Sequence, residues 1–429
     1  MAFDSEDIRK RQQRRRQEQQ RRKERQQQLR RRVTLGLIIG AVVLALCGLL
    51  ILLLQHSAEP ETTVPSNEVT QPIQTQPAEP ETVISIAFGG DLNVTDKVVA
   101  SGTSAGGYDY TDVFMDIVPL FAGADAAVLN LEGNLIGAPY GTQTASAPQA
   151  LMEALSNAGV DMIQMANSCA INNGMLGLQA TLDGIRQAGM EPLGAYASNE
   201  EFEKSKGFTL RSIHGVKVAF VSFTKGMDSL GLPEGSENCV NLLYNDYTST
   251  YQDVNTEGIT KILRAVEREK PDVTIALLHW GSEYNNQVSS SQSKIVELLQ
   301  KEGVDAIIGT HSHYVQTVDY DANAGTLVAY SMGDFFGDGV KSQTNYSIVL
   351  QLEITKDNTA GTARITGFDY TPIYTVTPEN DGAESMKILR IPNAMAAYES
   401  DSIHKISPET YAAMKSALAR IKSRVEPGE

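Results

Sequence analysis

Cysteine, tryptophan and histidine are scarce in this chain: three, one and six residues among 429. Three cysteines make neither a disulfide framework nor a cysteine-ligated cluster, and a chain of this length can bury an ample core without cross-links. Cys47 lies in an apolar run. Cys169 and Cys239 permit one bridge, but no feature of the sequence brings them together, and both are expected to be free thiols. Positive charge is also scarce once the first 32 residues are set aside. Those residues hold 13 Lys+Arg and 5 Asp+Glu, a balance of +8, so the net −16 of the chain leaves −24 for the rest. An acidity of that size argues against a nucleic-acid partner and repels a polyanion unless a metal or a local basic patch intervenes. No period of 20–50 residues recurs, which excludes a solenoid or an array.

What is present begins with a single membrane signal. Residues 1–32 are basic and Gln-rich, and Val33–Leu54 follow without a charge. Such a run spans ~33 Å as a helix, enough to cross a bilayer. The apolar core is too long for a cleaved leader and lacks a small-residue cleavage site, so an uncleaved signal anchor is expected. The basic residues place 1–32 in the cytoplasm and the other residues outside it. The arginines also suit anionic lipid or nucleic acid, but their adjacency to the span favours the topological role. Residues 55–81 are Pro-rich, with no aromatic side chain, and read as an extended tether.

From Thr82 the pattern alternates between strands and helices. Thr82–Phe88, Asp125–Leu131, Val160–Ala166, Val216–Phe223, Val273–His279, Val304–Gly309, Leu327–Met332, Tyr346–Ile354 and Ala363–Tyr370 read as strands. Pro148–Ala158, Leu178–Ala188, Thr256–Glu269 and Ser290–Lys301 read as helices. The early strands alternate with helices, as in parallel units, and the late ones follow one another, as in antiparallel pairs. The fold class is therefore α/β, a layered sandwich of mixed sheets flanked by helices. Residues 82–375 form the main domain, and 376–429 form a helical extension ending in the Ser407–Arg424 helix. The sequence pattern of Asn380–Ser402 is not decipherable.

Ligand-type residues fall where the strands end. Asp91 follows the first strand, Asn130 and Glu132 the second, and Asn167, Ser168 and Cys169 the third. His279 closes a fourth, and His311 with His313 follow a fifth. If Thr310–Tyr314 stays extended, the two imidazoles face the same way. Strand ends of one sheet converge, so two carboxylates and three imidazoles can hold one or two divalent ions such as Mn, Fe or Zn. A dinuclear site needs a bridging carboxylate, and Glu132 is the candidate. Taken singly, Asp91 and Asp334 beside glycines are ordinary turn residues and Trp280 is ordinary core. Their common placement at strand ends favours a site.

Gly90-Asp91, Asn130-Leu131-Glu132, Ala166-Asn167, His279-Trp280-Gly281 with Glu283, Gly309 with His311, His313 and Gln316, and Tyr330-Ser331-Met332-Gly333 together resemble the CapA family of bacterial capsule and poly-gamma-glutamate synthesis proteins. That family is similar to calcineurin-like metallophosphoesterases, two mixed sheets between helices. The resemblance implies Asp91, Glu132, His279, His311 and His313 as metal ligands and Glu283 and Asn167 as catalytic candidates. It leaves Asn130, Trp280, Gln316 and Asp334 as substrate-binding candidates. It further implies a metal-dependent hydrolase or a polymer-binding subunit in synthesis, release or export of an anionic polymer such as poly-gamma-glutamate, alongside other capsule-synthesis membrane proteins. The chain departs from the pattern at Asn93, where metallophosphoesterases carry a histidine. It departs again at Ser168 and Cys169, in place of an Asn-His pair, at Asn172 in place of an aspartate, and at Asp334 in place of an asparagine.

Overall fold

The structure, a computed structural model, describes residues 80–381, 385–400 and 406–426. The basic segment, the span expected at 33–54 and all but the last two residues of the tether lie outside them. Among the described residues no helix is long and apolar enough to cross a membrane. All of them fall in one compact unit, Gln76–Glu429.

Two sheets face each other. The first is built on β1 (Glu81–Asn93), which is paired in parallel with β2 (Ala126–Glu132), then β3 (Met162–Gln164) and β4 (Glu191–Leu193). The second runs from β5 (Phe208–Ile213) through β6 (Val216–Thr224), β7 (Val273–His279) and β8 (Ala306–Thr310). It ends with β9 (Val318–Asp321) lying outside β10 (Thr326–Ala329). Its centre is parallel, with β6, β7, β8 and β10 all in one direction. The short β11 (Asp334–Phe336) pairs with the end of β1. On the other side of β1 the antiparallel β12 (Tyr346–Asp357) and β13 (Thr362–Val376) extend the first sheet, and β14 (Lys387–Arg390) forms its edge.

Period-2 alternation puts Ile84, Ile86 and Phe88 of β1 into the space between the sheets, with Val128, Phe220, Ile275, Leu277 and Ile308. The opposite face of β1 and β2, through Ala87, Ala127 and Leu129, packs under α1 (Gln149–Asn157) and α2 (Gly174–Gln187). The opposite face of the second sheet packs under α3 (Thr256–Glu269) and α4 (Ser290–Lys301), whose capping box at Ser289 and Gln292 is complete. The result is helix, sheet, sheet, helix, the layering expected from the sequence pattern.

The described part of residues 376–429 is not a separate extension. β14 belongs to the first sheet. The stretch whose pattern was not decipherable forms β14 and the helix α5 (Ile391–Glu399). The last helix, α6 (Pro408–Val425), starts at a Ser407 cap and places Met414, Ala417, Ile421 and Val425 in the core shared by the two sheets. A single amphipathic stripe reads as a surface helix, and only the matching apolar face of the sheets reveals it as core. Ile421→Ala is therefore expected to cost about 2–5 kcal/mol, as buried truncations do. The urea midpoint measures it, and a loss within 0.5 kcal/mol, ordinary for surface positions, would show that α6 only leans on the domain.

Candidate metal centre

The centre lies where β1, β2, β7 and β8 end and β11 begins. The register of β1 against β2 breaks between Phe88 and Asp91, and β1 turns there to pair with β11. Gly90 permits the approach. A Cβ at that position would lie 1.8 Å from the Gly333 carbonyl oxygen, which accepts the Asp91 N–H at 3.0 Å. Gly309 does the same for β8, since a Cβ there would meet the Tyr330 carbonyl oxygen at 2.0 Å.

Asp91 is fully buried and held at both oxygens. Oδ1 accepts from Asn130 Nδ2 at 2.7 Å, and Oδ2 from the His311 backbone N–H at 3.0 Å. Asn130 is held in turn by Asn167, whose Nδ2 donates to Asn130 Oδ1 at 3.0 Å and to the Leu131 carbonyl at 2.7 Å. Glu132 accepts from the Ser168 hydroxyl at 3.1 Å on Oε2, whereas its Oε1 is buried with no hydrogen-bond partner. Such an orphaned acceptor is costly unless a cation or a proton satisfies it.

Two sets of ligand atoms converge. Asp91, Glu132 and His279 form one, and Asp91, His313 and Asp334 the other, each within 4.8 Å. Both share Asp91, so the carboxylate common to the two groups is Asp91, while Glu132 belongs to one. Asp334 joins the second group directly, its Oδ1 lying 2.8 Å from His313 Nδ1. A carboxylate in that place adds a third ligand-type group beside Asp91 and His313.

His311 and His313 do not sit on an extended segment. Both have positive φ, 87° and 59°, a region in which histidine is tolerated better than most residues. The turn separates their tasks. His311 Nδ1 lies 3.0 Å from His279 Nε2, and His313 faces Asp334.

Burial sets the charge states. It holds His279 and His311 well below the usual imidazole range and raises Asp91 and Glu132 above the usual carboxylate range. Burial also opposes the charge of His313, but Asp334, Glu132 and Asp91 together outweigh it and raise this imidazole to about 11. Burial lifts Asp334 to about 6, against the pull of His313. Three carboxyl groups whose charge burial disfavours thus surround one imidazolium. A divalent cation, which favours their ionised forms, fits the orphaned Glu132 oxygen and the mixed carboxylate–imidazole donor set.

The remaining expected residues are placed as follows. Trp280 is core: it stacks on Tyr330 at 5.8 Å and donates to the Tyr330 carbonyl at 3.0 Å. Gln316 is buried and ties down the loop after β7, donating to the Asn285 carbonyl at 2.8 Å. Glu283 is exposed, and its charge acts on Lys225 and Asp228. Asn130 and Asn167 form the scaffold under Asp91. Cys169 and Cys239 are both free thiols, and burial pushes the Cys169 thiol up, so it stays protonated.

A cleft of about 300 Å³ opens over Glu132, His313 and Asp334, walled by Cys169, Tyr284 and Lys341. The Tyr284 ring stacks on His313 at 5.1 Å, and Lys341 Nζ lies 4.8 Å from the centre of the same ring. Sequence reasoning missed Lys225, which follows β6 as the ligands follow their own strands. Its Nζ donates to the Gly281 carbonyl at 3.0 Å and lies 3.3 Å from His311 Nε2. The strand-end rule that found the histidines also points to this residue.

Comparison with known proteins agrees with the motifs. A family model described as bacterial capsule synthesis protein PGA_cap matches residues 85–339. The capsule biosynthesis protein CapA of Bacillus anthracis is 26% identical over 215 residues, 50% of this chain and 49% of the relative, so the chain spans about half of that protein's length. The PGA biosynthesis protein CapA of Bacillus subtilis is 24% identical over 315 residues, 71% of this chain and 76% of the relative. Among solved structures, the calcineurin-like phosphoesterase YfkN of Bacillus subtilis is 15% identical. It covers 80% of this chain and 98% of its own, with a TM-score of 0.42. A phosphatase from Mycoplasma pneumoniae is 13% identical, covering 68% and 94%, also at 0.42.

Proposed function

Because this chain belongs to the bacterial capsule synthesis protein PGA_cap family, we propose that it acts in the synthesis, release or export of an anionic capsule polymer of the poly-gamma-glutamate kind. In this reading residues 33–54 anchor it in the cell membrane, and the α/β domain works outside the cytoplasm beside other membrane proteins of capsule synthesis. The observation that carries the reading is the convergence of Asp91, Glu132, His279, His313 and Asp334 in one buried shell under a cleft, with His311 against His279 beside it.

Asp91, Glu132, His279, His313 and Asp334 would hold a divalent ion, which would supply Lewis-acid chemistry toward an amide, phosphoester or similar group. The protein's own residues do the rest. Asn130 and the His311 N–H aim the Asp91 carboxylate, and Ser168 fixes Glu132 so that Oε1 stays free. His313 Nδ1 lies against Asp334, so the two side chains hold each other in place for a shared ion. Tyr284 covers the His313 ring and sheds water from it. Lys341 brings a cation to a cleft that is otherwise acidic, where a substrate carboxylate needs one.

One observation favours a second reading, a subunit that binds the polymer without cleaving it. Cys169 is a protonated thiol and Ser168 is tied to Glu132, where metallophosphoesterase chemistry uses an amide and an imidazole. The test is poly-gamma-glutamate added to the full-length chain with and without Mn or Zn, followed by calorimetry and by polymer length. Ion-dependent binding with shortening supports the hydrolase, and ion-dependent binding without shortening supports the second reading. No binding with any ion would remove the polymer from the account.

A further inference from the structure

Two hollows meet at one lysine. The segment 337–345, which joins β11 to β12, contributes Gly337, Asp338 and Thr344 to the cleft over Glu132, His313 and Asp334. The same segment and α6 enclose a second hollow of about 320 Å³, to which it contributes Gly339, Ser342 and Gln343. Lys341 lines both. The second hollow is fixed in shape. Arg424 of α6 donates from Nη2 to Gln343 Oε1 at 2.7 Å and from Nη1 to the Val315 carbonyl at 3.1 Å. The Tyr346 hydroxyl donates to the same Gln343 oxygen at 3.1 Å, and Asn345 Nδ2 donates to the Tyr374 hydroxyl at 2.6 Å. Both tyrosines are buried, and Met414, Ala417 and Ile421 seat α6 in the core behind them.

Charge sets the second hollow apart. The residues after the first 32 carry −24, and the cleft itself is lined by Glu132, Asp334 and Asp338. Among the described residues no carboxylate lines the second hollow, whereas Lys341 and Arg420 do. Both are exposed, and neither forms an ion pair among the described residues. Two cations left unpaired in one concavity direct their field at an incoming anion. Continuity with the cleft says which anion. A polymer with a carboxylate on every unit, entered at the cleft, passes Lys341 and reaches Arg420, while a single small anion engages one cation alone. The Ser342 hydroxyl and the Asn345 carbonyl oxygen remain for the amides of such a chain.

We propose that the hollow between the segment 337–345 and α6 is a second subsite for an anionic polymer, in which Arg420 takes the carboxylate of a unit beyond the one held at the cleft and Lys341 bridges the two. This rests on the polymer reading given above. Linked subsites make the second contact intramolecular, so the protein favours a chain over its single unit.

The test titrates full-length wild type, Arg420→Gln, Arg420→Lys, Lys341→Gln and Lys422→Gln with poly-gamma-glutamate and with free glutamate, Mn being present throughout. Lys422 is exposed on α6 outside the hollow, so its variant controls for net charge. Arg420→Gln is expected to weaken the polymer about fivefold, the worth of a well-made exposed ion pair, and to leave glutamate unchanged. Arg420→Lys is expected to keep most of the affinity, Lys341→Gln to weaken both ligands, and Lys422→Gln to weaken neither. Polymer bound equally by wild type and Arg420→Gln, or weakened as much by Lys422→Gln, overturns the subsite and leaves the polymer reading standing. No polymer binding by wild type overturns both. Should glutamate alone bind too weakly to measure, the polymer affinities of the Arg420 and Lys422 variants decide.

Discussion

Adding a divalent ion to the metal-free protein is expected to raise its Tm by several degrees, and Asp91→Asn is expected to abolish that rise. An ion that binds only the folded state stabilises it by about 2.7 kcal/mol at a hundred times its dissociation constant. Asp91 is the residue whose loss should matter most, because both groups of ligand atoms include it. The substitution also has a cost without metal. Asp91 accepts from Asn130 Nδ2 at one oxygen and from the His311 N–H at the other. An asparagine amide must turn its NH2 toward one of those donors, leaving a buried group unpaired at about 1–3 kcal/mol. Thermal unfolding of both forms, with and without Mn or Zn, separates the two effects. An ion-induced rise of equal size in both would remove Asp91 from the binding shell.

The second large effect concerns the third motif. Ser168→Asn combined with Cys169→His is expected to raise phosphodiester hydrolysis from near background by a factor on the order of 10²–10³, the worth of one well-placed charge-stabilising donor. The Cys169 thiol lines the cleft beside Glu132 and stays protonated because burial pushes it up. A neutral thiol is a weak hydrogen-bond donor and a poor proton source near pH 7. An imidazole there would face the position a substrate oxygen takes up. Ser168 reaches Glu132 with its hydroxyl, and an asparagine would offer an amide in the same place. Asp334 already supplies an additional ligand beside His313, so Asp334→Asn is expected to lower whatever rate either form shows. Brisk hydrolysis by wild type that Asp334→Asn leaves unchanged would mean that the lost Asn-His pair has been overrated. A chromogenic phosphodiester with Mn or Zn is the assay.

Much of the fold was legible because its strands are apolar runs closed by glycine and polar residues. Val273–His279, Thr256–Glu269 and Ser290–Lys301 fall where their patterns end. The convergence of Asp91, Glu132 and the histidines was legible for the same reason, since each follows a strand of a shared core. The conformation of His311 and His313 was not. Alternation assumes an extended chain, whereas positive φ at both residues is imposed by contacts distant in sequence, among them the Asp91 carboxylate on the His311 N–H. Trp280 and Gln316 looked like cleft residues because they neighbour ligands in sequence. Their side chains turn away, one to stack on Tyr330 and the other to hold the loop at Asn285. Asp334 reads alone as a turn residue beside Gly333, and only the pairing of β11 with β1 brings it to His313. Lys225 follows its strand as the ligands follow theirs, but it was missed because the strand-end rule was applied to metal-ligand residue types alone.

The most direct test of the metal centre is the ion content of the purified full-length chain, measured by inductively coupled plasma mass spectrometry on wild type and Asp91→Asn after removal of loosely held ions. A tightly bound divalent ion is expected in wild type, and its loss in Asp91→Asn. A folded wild type that holds none after exposure to Mn, Fe or Zn, or an Asp91→Asn that holds as much as wild type, would contradict it.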